Sequence, residues 1–122
     1  MNDQLTRIEP AYEHFTDFAR ATHGTTGAIQ GMRRKALYSD GALPAKVKVL
    51  GALLWSIAAR CEPCVKYYAL KSREVGASEA ELVEICAVAS TMGGCVGETW
   101  ALKAFAAFRS AGEGEEPCCD LP

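Results

Sequence analysis

Apolar positions recur at three- and four-residue steps through most of this chain, the signature of amphipathic helices. Over residues 5–21 the positions Ile8, Ala11, Tyr12, Phe15, Phe18 and Ala19 form one such face. Pro10 falls inside its first two turns, so the spacing predicts a helix starting near Glu9 with Pro10 as an early helical residue. Gly24 and Gly27 break that helix, a second is predicted over residues 26–37, and Ser39-Asp40-Gly41 reads as a turn. Pro44 then opens a long helix over residues 45–59, because a proline in a first turn gives up an N–H that has no helical partner. From Val49 onward this helix is apolar almost all round, which marks a core helix or an oligomer-interface helix.

A further stretch runs from Cys61-Glu62-Pro63-Cys64 to Val75, with Gly76 placed as a helix-ending C′ residue. Ser78-Glu79-Ala80-Glu81 fits a capping box, Ser78 at the N-cap and Glu81 at N3. The helix it starts carries Leu82, Ile85, Cys86 and Ala89 at helical spacing until Gly93-Gly94 interrupts it. A last helix over residues 95–109 presents Trp100, Ala104, Phe105 and Phe108. No strand period and no internal repeat is visible. The chain is rich in alanine, the strongest helix former, and has few prolines. The expectation is an all-α fold of about five or six helices in one domain, residues 1–110. Residues 111–122 combine glycine, glutamate, proline and Cys118-Cys119, and read as a flexible cysteine-containing tail.

Composition narrows the function. At 122 residues the chain is one ordinary domain. Its 13 basic and 15 acidic residues give a net charge of −2 without a basic stripe, which argues against nucleic-acid partners. The apolar run at 49–59 is too short to span a bilayer, so no membrane partner is expected. The N-terminus lacks the basic and apolar regions of a secretory signal, which points to the cytoplasm. Six cysteines in a reducing compartment suggest redox chemistry or metal rather than structural bridges.

Cys61-x-x-Cys64 is the main chemical signal. Two cysteines three apart at a helix start share a face, within disulfide reach. The free N–H groups and positive dipole end there stabilise a thiolate, and Arg60 and Lys66 can add to that. The competing readings are half of a soft-metal site, completed by Cys118-Cys119, and two inert cysteines. Cys86 sits on an apolar helix face and reads as a buried structural thiol. Cys95, just after Gly94, reads as a third accessible thiol. His14 and His23 read as surface or packing residues, and Trp55 and Trp100 as core or interface anchors.

The run "ALPAKVKVLGALLWSIAARCEPCVKYYALKSREVGASEAELVEICAVASTMGG" and the alanine-aromatic helix after it resemble the carboxymuconolactone decarboxylase and alkylhydroperoxidase D family. The order is a lysine-rich approach, an apolar helix, CxxC, a helix, Gly-Ala-Ser, a glutamate-rich cap, then a small-residue helix ending in Gly-Gly. The resemblance implies an alkylhydroperoxidase D-like helical bundle. It also implies a CxxC-dependent peroxidase or thiol-disulfide oxidoreductase acting on peroxides or disulfides, with an external dithiol as reductant. No cofactor and no metal are implied. Family members are commonly oligomeric, so a homo-oligomer is expected: a hexamer built as a trimer of dimers, or else a trimer. Non-catalytic oligomeric membership is the remaining alternative to catalysis and to metal binding.

Redox members of the family carry a histidine four residues after the second cysteine and a glutamate twelve before the first. Here those positions are Tyr68 and Val49. Tyr68 is accordingly placed with Cys61 and Cys64 in the catalytic set, as a hydrogen-bond donor rather than a base; helix packing is its alternative role. The resemblance implies Cys64 as the attacking thiol and Cys61 as its disulfide partner, the reverse order being the alternative. Glu62 and Glu98 are candidates to replace the absent base.

Overall fold

A computed structural model describes residues 3–112; six α-helices and one 3-10 turn make up their regular structure, with no strand among them. The helices are α1 (Asp3–Ile8), α2 (Phe15–Ala21), α3 (Thr25–Leu37), α4 (Ala45–Ala59), α5 (Glu62–Glu74) and α6 (Glu79–Gly112), the 3-10 turn lying at Pro10–His14. The all-α expectation holds. The single helix expected over residues 5–21 does not: it divides at Glu9, whose backbone is extended (φ −141°, ψ 106°). Pro10 has no N–H to continue a helix from α1, so it starts a new turn instead. The Glu9 carboxylate caps that turn by accepting from Ala11 N at 3.1 Å.

The core lies in the second half of the chain. Leu53 and Ile57 of α4 meet Val65 and Ala69 of α5 and Leu82, Ala89, Ala101, Ala104 and Phe108 of α6 in one buried cluster. One helix contributes to this core twice because α6 is a hairpin. Gly94 leaves the helical region (φ 59°, ψ −141°) and turns the chain back, which is the break expected at Gly93-Gly94. The Cys86 thiol then donates to the Ala101 carbonyl at 3.6 Å across the two arms. A Cβ at buried Gly97 would overlap the Ala89 carbonyl oxygen, so the arms approach this closely only with glycine there. By length and composition residues Glu79–Ala111 could cross a membrane. Folded back at Gly94, neither arm reaches the ~20 residues a bilayer core requires.

Local signals place the joints of this bundle. Ser78 and Glu81 form the expected capping box: Glu81 N donates to Ser78 Oγ at 3.1 Å and Ser78 N to Glu81 Oε1 at 2.9 Å. The same Glu81 accepts from Lys46 Nζ at 3.0 Å, tying the start of α6 to the start of α4. Gly76 (φ 98°) closes α5, with Ala77 N on Ser72 O at 2.9 Å and Gly76 N on Arg73 O at 3.1 Å, a Schellman end. Pro44 stands one position earlier than expected, at the N-cap of α4 rather than within its first turn. The C-terminal arm of α6 runs on through Ala111 to Gly112; the remainder of the expected tail, with Cys118 and Cys119, lies outside the described residues.

Candidate functional site

The turn between α4 and α5 presents the two cysteines. Arg60 adopts the left-handed conformation (φ 56°, ψ 43°) in the C′ position usually given to glycine. Arg60 N donates to Ile57 O at 3.0 Å and Cys61 N to Ser56 O at 3.2 Å, a second Schellman closure. A left-handed non-glycine residue costs roughly 1–2 kcal/mol. It swings the chain so that Cys61 becomes the N-cap of α5, with Pro63 and Cys64 in its first turn. Cys61 and Cys64 are joined as a disulfide, with Cα atoms 5.3 Å apart. Both are half-buried, so exposure does not distinguish an attacking from a resolving sulfur.

The disulfide faces a cavity of about 410 Å³. Its floor is α5, which contributes Cys61, Pro63, Cys64, Tyr67 and Tyr68. Its roof comes from the N-terminal region, with Leu5, Ile8, Tyr12 and Phe15, and from α3 and the residue after it, with Gln30, Arg33, Arg34 and Tyr38. Tyr68 is therefore brought to the same cavity as Cys64, as the i, i+4 spacing expects. Its ring also packs on the core, which is the alternative role foreseen for it. Tyr67 meets Tyr68 edge-on with centroids 5.0 Å apart.

Tyr38 completes a cluster of three phenols. Its hydroxyl is buried. Burial pushes the Tyr38 pKa well above the usual phenol range, and the nearby Tyr67 and Tyr68 hydroxyls raise it further, so Tyr38 is a neutral donor. Lys71 Nζ lies over the Tyr38 ring at 5.0 Å and the Tyr67 ring at 5.7 Å. Burial works against its charge, but the hydrogen bond from Lys71 to Glu74 prevails and raises its pKa.

The two glutamates considered as replacement bases are not at this cavity. Glu62 turns toward Lys66 (3.2 Å) and Lys103 (3.8 Å), which also takes up the Lys66 charge. Glu98 lines a separate groove of about 250 Å³ between the arms of α6, with Cys86 and Phe105. Val49, at the position where the resemblance leads us to expect glutamate, is fully buried. Cys86 is half-buried and burial raises its thiol pKa, as suits a structural thiol. Cys95 is an exposed thiol, as expected. His14 pairs with Glu13 at the surface, and neither it nor His23 reaches the cavity. Trp55 is 71% exposed and so does not anchor the core. Trp100 packs against the core with Lys103 5.1 Å from its ring. No group of three or more metal-binding side chains occurs among the described residues. Tyr67, Tyr38, Arg33 and Arg34 were not anticipated; only Tyr67 had a sequence signal, three residues beyond Cys64.

The sequence profile of the carboxymuconolactone decarboxylase family matches residues 24–107, from the start of α3 nearly to the end of α6. The chain belongs to the carboxymuconolactone decarboxylase family. An uncharacterized protein of Cupriavidus necator is 33% identical over 106 residues, which cover 87% of this chain and 93% of that protein. The fold is similar to that of a carboxymuconolactone decarboxylase family protein from Legionella pneumophila, with TM-score 0.79 and 24% identity over 89% of this chain and 97% of that one. It is also similar to a Thermotoga maritima protein, with TM-score 0.70 and 24% identity over 88% and 95% of the two chains. The family match begins at residue 24, so the cavity floor and the α3 side of its roof fall within it, while Leu5, Ile8, Tyr12 and Phe15 precede it.

Proposed function

We propose that this carboxymuconolactone decarboxylase family member is a CxxC-dependent peroxidase that also supports thiol-disulfide exchange. The observation that carries the reading is the Cys61–Cys64 pair, within bonding distance at the first turn of α5 and open to a cavity large enough for a small organic molecule. In the reduced form the N-terminal dipole of α5 favours a thiolate. The Cys64 thiolate attacks the distal oxygen of a hydroperoxide. An S–O bond forms, the O–O bond breaks, and the alkoxide leaves as the alcohol after taking a proton. The Cys61 thiol then attacks the Cys64 sulfenic acid, the S–O bond breaks as the disulfide forms, and the displaced hydroxide takes the Cys61 thiol proton to leave as water. An external dithiol returns two electrons and two protons by exchange.

Tyr68 supplies a hydrogen bond and no base. General acid–base help is worth about 10²–10⁴-fold, so turnover is slow beside that of relatives with a histidine here. The test is peroxide consumption with dithiothreitol as donor. Cys64→Ser abolishes it, while Cys61→Ser leaves a sulfenic acid on Cys64 that dimedone traps. Tyr68→His raises turnover at neutral pH, and Tyr68→Phe lowers it by no more than one hydrogen bond is worth. A Cys64→Ser protein as active as wild type overturns the peroxidase reading.

The active form is a homo-oligomer, a hexamer of three dimers or a trimer. Trp55 on α4 and Met92, Val96 and Leu102 on α6 are large apolar side chains left exposed on one protomer, Met92 at 81%. Apolar surface of this extent in a folded chain marks an association face. Light scattering at the protomer mass across micromolar concentrations overturns this assignment.

A further inference from the structure

The cavity in front of the disulfide has an asymmetric electrostatic character. Gln30, Arg33 and Arg34 lie at i, i+3 and i+4 on one face of α3 and line its roof. Among the described residues, no aspartate or glutamate lines the cavity. Neither arginine takes part in an ion pair among the described residues, although Arg20, Lys46, Lys66, Lys71, Lys103 and Arg109 all do. Both arginines are exposed while lining the cavity, which puts them at its rim. Below them the walls are apolar and aromatic, and the Tyr38 hydroxyl stands buried beside those of Tyr67 and Tyr68.

We infer that the cavity selects organic hydroperoxides that carry a carboxylate on an apolar body, the carboxylate meeting Arg33 and Arg34 at the rim and the body filling the space toward Cys61–Cys64. A planar guanidinium matches a carboxylate with paired N–H donors, and two of them with no competing acid make the rim selective for an anion. The apolar walls reject small hydrated anions, which leave that surface unfilled. Binding by the carboxylate orients the hydroperoxide, so the same Cys64 attack proceeds with a higher kcat/KM on an anionic substrate than on its neutral counterpart. This inference rests on the peroxidase reading for its chemistry, while its recognition element stands apart from that reading.

The test uses matched pairs on the full chain. In the binding arm, calorimetry on the oxidised protein compares 4-isopropylbenzoate with 4-isopropylbenzamide. The benzoate binds about tenfold tighter or more, the equivalent of a charge-assisted hydrogen bond. Arg33→Gln/Arg34→Gln removes that preference and Arg33→Lys/Arg34→Lys keeps part of it, with circular dichroism confirming the helical fold of each. In the kinetic arm, cumene hydroperoxide is compared with its 4-carboxy derivative, and the derivative's higher kcat/KM is lost in the Gln variant. Equal binding of benzoate and benzamide, or a preference that survives the Gln variant, overturns the anion site. Arginine-dependent benzoate binding with neither hydroperoxide consumed upholds the anion site and overturns the peroxidase reading.

Discussion

Residues 45–112 and residues 3–37 are both helical, yet they are held by different means. Every buried hydrophobic side chain of the described residues lies between Val49 and Phe108, and no described residue before Val49 is buried. The bundle of α4, α5 and the two arms of α6 is a conventional close-packed core. The N-terminal region lies on it as a cover, with Phe18 61% exposed and Met32 63% exposed. Both regions contribute to the same cavity, the bundle supplying the disulfide and the cover supplying the arginines and most of the apolar roof. On the proposed function, the division separates reactivity, which requires fixed sulfur geometry, from recognition, which tolerates a loosely held wall.

The sharpest test of that division sets one phenylalanine against another. Phe108→Ala, at a site 1% exposed, lowers unfolding free energy by about 3–5 kcal/mol, while Phe18→Ala stays within about 0.5 kcal/mol. Chemical denaturation measures both, and comparable losses would mean that the cover is part of the core. Gly97→Ala is next. A methyl group at that position meets the Ala89 carbonyl oxygen, and forcing the arms of α6 apart costs about 1–3 kcal/mol. A neutral result in thermal melts would show that the hairpin can open without loss.

Ser78→Ala removes the hydroxyl that accepts from Glu81 N in the capping box and costs about 1 kcal/mol, confined to the bundle. Hydrogen exchange resolves it, with faster exchange at the start of α6 and none added in α3. The smallest effect concerns pH. The Glu79 pKa is held below its ordinary 4.5 by the hydrogen bond from Arg109, and that of Glu81 by the Ser78 backbone N–H and then by Lys46. A carboxylate with a lowered folded pKa stabilises above its unfolded value, and that contribution disappears as pH falls through the folded value. Melting temperature therefore declines on acidification below 4.5, and Glu79→Gln/Glu81→Gln makes the acid slope shallower. An unchanged slope would show that other carboxylates carry the acid sensitivity.

Where the chain's chemistry was legible, the signal was short-range. Cys61 and Cys64 at a helix start, the Ser78–Glu81 box and the break at Gly93-Gly94 are each decided within four residues, by backbone donors and dihedral preferences that a sequence displays directly. Pro10 shows the limit of that reading. The apolar spacing over residues 5–21 is helical throughout, but the spacing records only which face is apolar, and the missing Pro10 N–H divides the helix at Glu9.

By itself, then, the sequence determined an all-helical chain, its family, a CxxC pair at a helix N-terminus and a tyrosine one turn beyond it. Tertiary structure decided what that pair faces. Arg33, Arg34 and Tyr38 come to Cys64 from about thirty positions away, because α3 and the N-terminal turn fold over α5 and no local pattern encodes that approach. Tertiary structure also turned Glu62 to Lys66 and Lys103, placed Glu98 in the groove of α6, and left Trp55 in solvent. The physical reason is one of range: hydrogen bonding and backbone preference act over a helical turn, whereas the identity of a cavity wall depends on which apolar faces meet once the whole chain is packed.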